Sequence, residues 1–260
     1  MGYRAVLVDR TDGIATLTLN RPEARNALDI AMREELVGAF DEIERDATAR
    51  VVILTGAGGH FCAGGDVKSM QRKHTAIEGR ERVELLNRFV LRLFNFPKPV
   101  IAMVDGFAVG AGCNIALGCD MIVASDRARF GEVFLKIGLV PDGGGTWLLP
   151  CLVGLAKAKE LVLTAEIIDA AEALRIGLVN RVVPAAELES VTRGLAAKIA
   201  AGPPIAATLA KALLNRAATV DLAAALEGEA FGQSNAITSE DHAEGVRAFL
   251  EKRAPRFQGR

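Results

Sequence analysis

Short apolar or alternating runs punctuate the first two thirds of the chain, and longer runs at helical spacing take over in the last third. Residues 5–8 and 14–19 read as strands joined by a turn at Thr11-Asp12-Gly13, with Ala15, Leu17 and Leu19 on one face. Met32, Leu36, Phe40 and Ile43 then recur at the spacing of one helix face, and Asp29 is placed to cap that helix. A buried-type strand at 51–55, a helix at 80–94, a strand at 99–104, a helix from about 112 to 118 and a strand at 121–124 continue the alternation. Strand and helix in turn predict an α/β fold with largely parallel strands. Helical patterns dominate from Leu155 onward, at 156–163, 187–200, 205–216, 222–235 and 241–252. Gly202-Pro203-Pro204 is the best boundary signal, dividing a core at 1–201 from a helical module at 202–260.

A chain of 260 residues, half of them apolar, can bury a full core without disulfides. The net charge of −1 and the lack of a long Lys/Arg run argue against nucleic acid or an anionic membrane as partner and leave room for a small anionic ligand. The longest apolar region, 100–124, is broken by Asp105, Asn114 and Asp120 and is too polar to span a bilayer. The first residues carry no secretory signal, and Val6 stands where a myristoylation signal needs Ser or Thr, so a cytoplasmic location is expected. Cys62, Cys113, Cys119 and Cys151 form no C-x-x-C pair, and with only His60, His74 and His242 beside them no metal site is expected. The cysteines read as reduced, mostly buried thiols.

Several chemistries fail on spacing. Counting G-x-G-x-x-G from Gly56 puts Phe61 at the third glycine, so the dinucleotide fingerprint is absent. There is no G-x-x-x-x-G-K-[ST] phosphate loop and no G-x-S-x-G nucleophile turn. What remains is a pair of glycine-rich turns leading toward helices, His60–Asp66 (HFCAGGD) and the stretch opening GFAVGAGCNIALG at Gly106. Two such turns can aim backbone N–H groups at one developing negative charge.

The whole chain resembles the enoyl-CoA hydratase/isomerase (crotonase) superfamily. Four blocks in the family's order carry the likeness: LTLNRPEARNAL, VVILTGAGGHFCAGGD, the residues from Gly106 to Leu149, and VRAFLEKRAPRF. The resemblance implies a spiral of ββα units, a C-terminal helical module that mediates trimer formation, possible pairing of trimers into hexamers, and acyl-coenzyme A thioesters as substrates. It places the two amides that hold the thioester oxygen at Gly65 and Ala111. Ala24, Ala63, Gly64, Asp66 and Val67 match the edge of the coenzyme A groove. Phe249 and Lys252 match residues reaching coenzyme A from an adjacent subunit.

The departures are as informative. Family hydratases use a glutamate in each of two blocks; here those positions, in the acyl region of the site, hold Asn114 and Phe134. Neither can act as acid or base, which predicts loss of water addition by that mechanism. Glu132, two residues earlier, reads as an exposed or structurally paired carboxylate. Asp142, in GLVPDGGG, matches the aspartate of the phenylacetate-pathway ring-epoxide isomerases and of the 4-chlorobenzoyl-CoA dehalogenases. GLVPDGGGTWLLP and the tail AFLEKRAPRFQGR look like the isomerase branch, commonly named 2-(1,2-epoxy-1,2-dihydrophenyl)acetyl-CoA isomerase. The dehalogenase branch wants a tryptophan where Phe134 stands, and a histidine besides; His60, His74 and His242 make no case for it. Apolar neighbours Phe134, Leu139, Val140 and Trp147 are expected to raise the Asp142 pKa.

The expected function is an isomerase of acyl-CoA thioesters with Asp142 as base and no metal or redox cofactor, coenzyme A being part of the substrate. The alternatives are a Δ3,Δ2-enoyl-CoA isomerase using the same aspartate, an enoyl-CoA hydratase by family label, and a non-catalytic acyl-CoA binding protein.

Overall fold

The computed structural model describes residues 2–71 and 75–260. The hairpin joins β1 (Val6–Thr11) to β2 (Ile14–Leu19), paired from Val6 opposite Leu19 to Thr11 opposite Ile14. Asp12 and Gly13 both have positive φ, 53° and 78°, as the two-residue turn that follows strand twist requires. Helix α1 (Ile30–Arg45) is capped by Asp29, whose Oδ1 accepts from Met32 N at 2.8 Å. Beyond it come β3 (Val51–Gly56), α2 (Ala76–Phe94) and β4 (Val100–Val104). Thr75 and Glu78 form a reciprocal capping box at the start of α2, so that helix begins four residues before its apolar periodicity does.

The chain then visits two sheets in alternation. β4 is followed by β5 (Phe107–Val109) and α3 (Ala111–Leu117), then β6 (Met121–Ser125) and β7 (Arg129–Gly131). Helices α4 (Gly145–Val153) and α5 (Leu155–Thr164) lead to β8 (Ile167–Asp169), α6 (Ala170–Arg175), β9 (Arg181–Val183) and α7 (Leu188–Ala200). The larger sheet runs β1-β2-β3-β4-β6-β9 and is parallel apart from the first hairpin; the smaller runs β5-β7-β8. The chain steps between the two sheets in successive ββα units, as the spiral implied by the resemblance requires.

Alternation along β3 divides the interior. Val52 and Leu54 face the main core with Phe40, Phe61, Phe89 and Phe96, while Val51 and Ile53 face a second cluster closed by Leu188 and Ala196 of α7. Helices α8 (Pro204–Ala217), α9 (Leu222–Ile237) and α10 (Glu240–Leu250) complete the chain. α8 is tied to the core by Thr208 Oγ1 on Pro97 O, Asn215 Nδ2 on Phe94 O, both at 2.7 Å, and by Lys211 on Asp120. The tail folds back on Asp241, whose carboxylate accepts from the amides of Gln258 and Gly259. Among the described residues no helix is long and apolar enough to cross a membrane. Cys62 and Cys113 are buried, Cys119 is half-buried and Cys151 is exposed, so burial does not hold for all four.

Candidate active site

The two glycine-rich turns meet. After β3, Cys62 forms a parallel bridge with Ala108 of β5, its N donating to Phe107 O at 2.8 Å and its O accepting from Val109 N at 3.0 Å. Leu28 bridges Gly65 in the same sense. There Leu28 N donates to Gly64 O and Asp66 N donates to Leu28 O. A parallel bridge uses the groups of only one of the two opposed residues, so pairing leaves the Gly65 amide unspent. Across from it, Gly110 N is consumed by Gly131 O. Ala111 opens α3, where the first amides of a helix have no internal acceptor.

Close packing of backbone sets the gap between these amides. A Cβ on Gly64 would stand 3.5 Å from Ala111 N and 2.8 Å from Val109 O, and Gly64 has φ +88°. A Cβ on Gly112 would meet Cys62 O at 2.3 Å. Cys62 stitches the turn further: its thiol donates to Asn26 O at 3.1 Å and accepts from Gly64 N at 3.4 Å. Burial pushes this thiol up to about 12, so it serves as a clasp rather than a nucleophile.

Gly65 and Ala111 border a cavity of about 340 Å³ whose apolar walls include Val67, Met70, Val83, Phe134 and Leu139. Three charged side chains also line it: Arg33 of α1, Arg82 of α2 and Asp142. A cleft of about 1060 Å³ under α10 is larger, but the backbone amides of Gln258 and Gly259 beside it are already spent on the Asp241 carboxylate. Asp142 follows Pro141 and precedes Gly143 and Gly144, both at positive φ. Its backbone O accepts from Asn114 Nδ2 at 2.8 Å, and its buried Oδ1 has no hydrogen-bond partner. Burial raises the Asp142 pKa, and the guanidinium groups of Arg33 and Arg82 oppose that rise. Arg33 is only 2% exposed; its Nη1 donates to Arg82 O at 2.7 Å and its Nε has no partner. Burial, then the neighbouring Arg82, lowers its pKa.

The sequence expectations for this region need three corrections. Of the four apolar residues expected around Asp142, Phe134 and Leu139 line the cavity, whereas Val140 is exposed and Trp147 packs edge-on against Phe94, centroids 5.4 Å apart. The two arginines escaped notice because a cation within an amphipathic helix reads as part of the solvated face; α1 and α2 instead turn theirs inward. Glu132, read as exposed or structurally paired, is not exposed, at 1%; it is paired by hydrogen bonds with Asn114 and Cys113 and not with a cation among the described residues. Burial, with the charge of Asp142 adding to it, raises Glu132 to about 7 against the pull of hydrogen bonds from Asn114 and Cys113. A single carboxylate in a strand-to-turn stretch carries no sequence signal for this.

Asn114 is fully buried and does not line the cavity; it stands behind it on α3, between Glu132 and Asp142. Ala63, Gly64 and Val67 do line it. Asp66 caps the 3-10 turn that follows and pairs with Arg21 at 3.1 Å, while Ala24 sits in the turn Pro22–Ala24, whose Pro22 packs under Gly58; neither lines the cavity. Phe249, 83% exposed, and Lys252, just past the end of α10, lie outside it. His60 is a loop residue whose Nδ1 accepts from Phe107 N at 3.3 Å. His242 lies on α10 away from the cavity, and His74 falls outside the described residues.

Comparison with known proteins shows the family. A family model described as enoyl-CoA hydratase/isomerase matches residues 9–260. A short-chain-enoyl-CoA hydratase of Clostridium acetobutylicum is 44% identical, covering 97% of each chain. A 1,2-epoxyphenylacetyl-CoA isomerase of Escherichia coli is 41% identical over 95% of this chain and 96% of its own. The crystal structure of an enoyl-CoA hydratase from Bacillus anthracis superposes with a TM-score of 0.95 at 38% identity, covering 98% of this chain and all of that one. With this match spanning nearly all of its length, the chain belongs to the enoyl-CoA hydratase/isomerase family.

Proposed function

We propose that this protein isomerises acyl-CoA thioesters. The thioester oxygen lies between the amides of Gly65 and Ala111, which acidifies C2. Asp142 takes a proton and returns it elsewhere on the conjugated system, shifting a double bond or assisting the opening of a ring epoxide to an oxepin. Coenzyme A enters as part of the substrate.

One observation carries the reading: Asp142 is the sole carboxyl group among the described residues lining the cavity. The names of relatives do not choose, since both hydratases and an isomerase lie near 40% identity. The acid-base inventory supports isomerisation. Asn114 spends its amide on Asp142 O and Glu132, and Phe134 offers no polar atom, so no carboxylate pair is left to hold and split a water. A Δ3,Δ2-enoyl-CoA isomerase would use the same aspartate, and a hydratase is the reading that the 44% relative favours.

A panel of 3-enoyl, 2-enoyl and ring-epoxide CoA thioesters, followed by mass and ultraviolet spectra, separates these readings. Isomerisation should be lost by roughly 10² to 10⁴ in D142N with thioester affinity retained. Hydration of crotonyl-CoA at about 10 per second or more, or parent-rate isomerisation by D142N, overturns the proposal.

A further inference from the structure

Behind the cavity lies a buried cluster with too many acceptors. Asn114 Oδ1, Glu132 Oε1 and Asp142 Oδ1 are all buried and all lack a hydrogen-bond partner. Two side-chain donors reach it, beside two backbone amides: Asp142 N serves its own carboxylate and Gly145 N donates to Asp142 O at 3.3 Å. Asn114 Nδ2 serves Glu132 Oε2 at 3.4 Å and Asp142 O at 2.8 Å, and the Cys113 thiol serves Glu132. Glu132 has no cation within 4 Å among the described residues, while the carboxylate of Asp142 faces it from the loop before α4. Arg33 and Arg82 face Asp142 from α1 and α2.

An ionised carboxylate accepts hydrogen bonds and donates none. Ionised, Glu132 would add an unpaired buried charge to a cluster already short of donors, an arrangement that desolvation penalises heavily. As the neutral acid it supplies the missing O–H. On its other side Asn114 is crowded by Gly145, where a Cβ would meet its Nδ2 at 2.4 Å and Oδ1 at 2.5 Å, so Glu132 is the partner that sets its remaining freedom. Whatever orients Asn114 therefore helps to orient the Asp142 backbone, whose O accepts from Asn114 Nδ2 at 2.8 Å and from Gly145 N at 3.3 Å.

We propose that Glu132 is a positioning residue for Asp142: as a neutral carboxylic acid it fixes Asn114, which holds the Asp142 backbone, and the site is competent while Glu132 keeps its proton. The proposal rests on the reading of Asp142 as base. Glu132 acts through Asn114 and touches no substrate, since it does not line the cavity.

The test uses whichever thioester the wild type isomerises, with kcat and KM measured from pH 5.5 to 9.5. In E132A, kcat should fall about tenfold or more with KM within about twofold, and E132Q, which keeps an acceptor for Asn114, should restore most of it. Wild-type kcat/KM should decline on the alkaline side through a one-proton step that E132Q lacks. In the double variant N114A/E132A the losses should be far from additive, because both break one chain of contacts. An infrared difference spectrum, wild type minus E132Q at pH 6, should show a protonated-carboxyl band; it needs folded protein but no activity. Superimposable pH profiles, additive losses or absence of that band each overturn the proposal. If D142N retains activity, the base assignment fails by itself while the infrared band still reports on Glu132.

Discussion

Replacing Glu132 with glutamine should stabilise the protein at neutral pH and do nothing of the kind in acid. In the folded chain Glu132 is pushed from an ordinary 4.5 up to about 7, chiefly by burial. Between those values the native state binds a proton that the unfolded state has released, so stability falls as pH rises. The contribution of the neutral acid is complete below pH 4.5 and is lost as pH passes through about 7. At about 1.4 kcal/mol per pH unit across that interval, the loss comes to about 3 kcal/mol. Glutamine matches the shape and hydrogen bonds but never titrates, so the term vanishes in E132Q while other groups, acting alike in both proteins, cancel in the difference. At roughly 2–4 °C per kcal/mol for a chain of this size, the melting point of E132Q relative to wild type should climb by about 6–12 °C between pH 4.5 and 7.5. Urea unfolding at several pH values, followed by circular dichroism, measures the same quantity. A difference that stays constant over that range would refute the reasoning and show that Glu132 is ionised throughout.

Three further outcomes follow from the site. Gly112→Ala puts a Cβ 2.3 Å from Cys62 O and must pry α3 from the Cys62 turn, so turnover should fall by roughly 10² to 10³, as for loss of one oxyanion donor, with far less effect from Gly194→Ala, where nothing lies within 4 Å. Arg33→Met removes the first of the two cations that hold down the Asp142 pKa; the acid limb of kcat/KM should move to higher pH, and an unmoved limb would detach Arg33 from the base. Leu222, Leu226, Phe231, Phe249 and Leu250 are all more than half exposed on α9 and α10, a surface suited to self-association, so sedimentation at micromolar concentration should give an oligomer, a trimer on the family pattern, and a monomer would sink that expectation.

The sequence made the scaffold readable where periodicity is long. α1, with Met32, Leu36, Phe40 and Ile43 inward, and the hairpin around Asp12-Gly13 lie where spacing puts them. The smaller sheet was invisible because each of its strands has three residues, too few to display alternation. α4 was hidden for a different reason: it starts in a glycine run, contains Pro150 and is apolar on every side. The meeting of Gly65 and Ala111 was expected from the family's motifs, since spacing alone says nothing of a bridge between Cys62 and Ala108. Arg33, Arg82 and Glu132 had no signal at all, for a charged side chain turned inward looks in sequence like one turned out.

Gly112 lies so close to Cys62 O that no side chain fits between them. The distance between the two donor amides is fixed by main chain against main chain, so it is indifferent to the side chains that line the acyl wall. Those side chains are free to be exchanged: a glutamate or a phenylalanine on the wall where Phe134 stands leaves the electrophilic seat as it was. On the function proposed above, such a scaffold can change its reaction by revising a few wall positions while the seat for the thioester oxygen is kept. That hydratases and isomerases stand at comparable distance from this chain is what a rigid seat with a replaceable lining would produce.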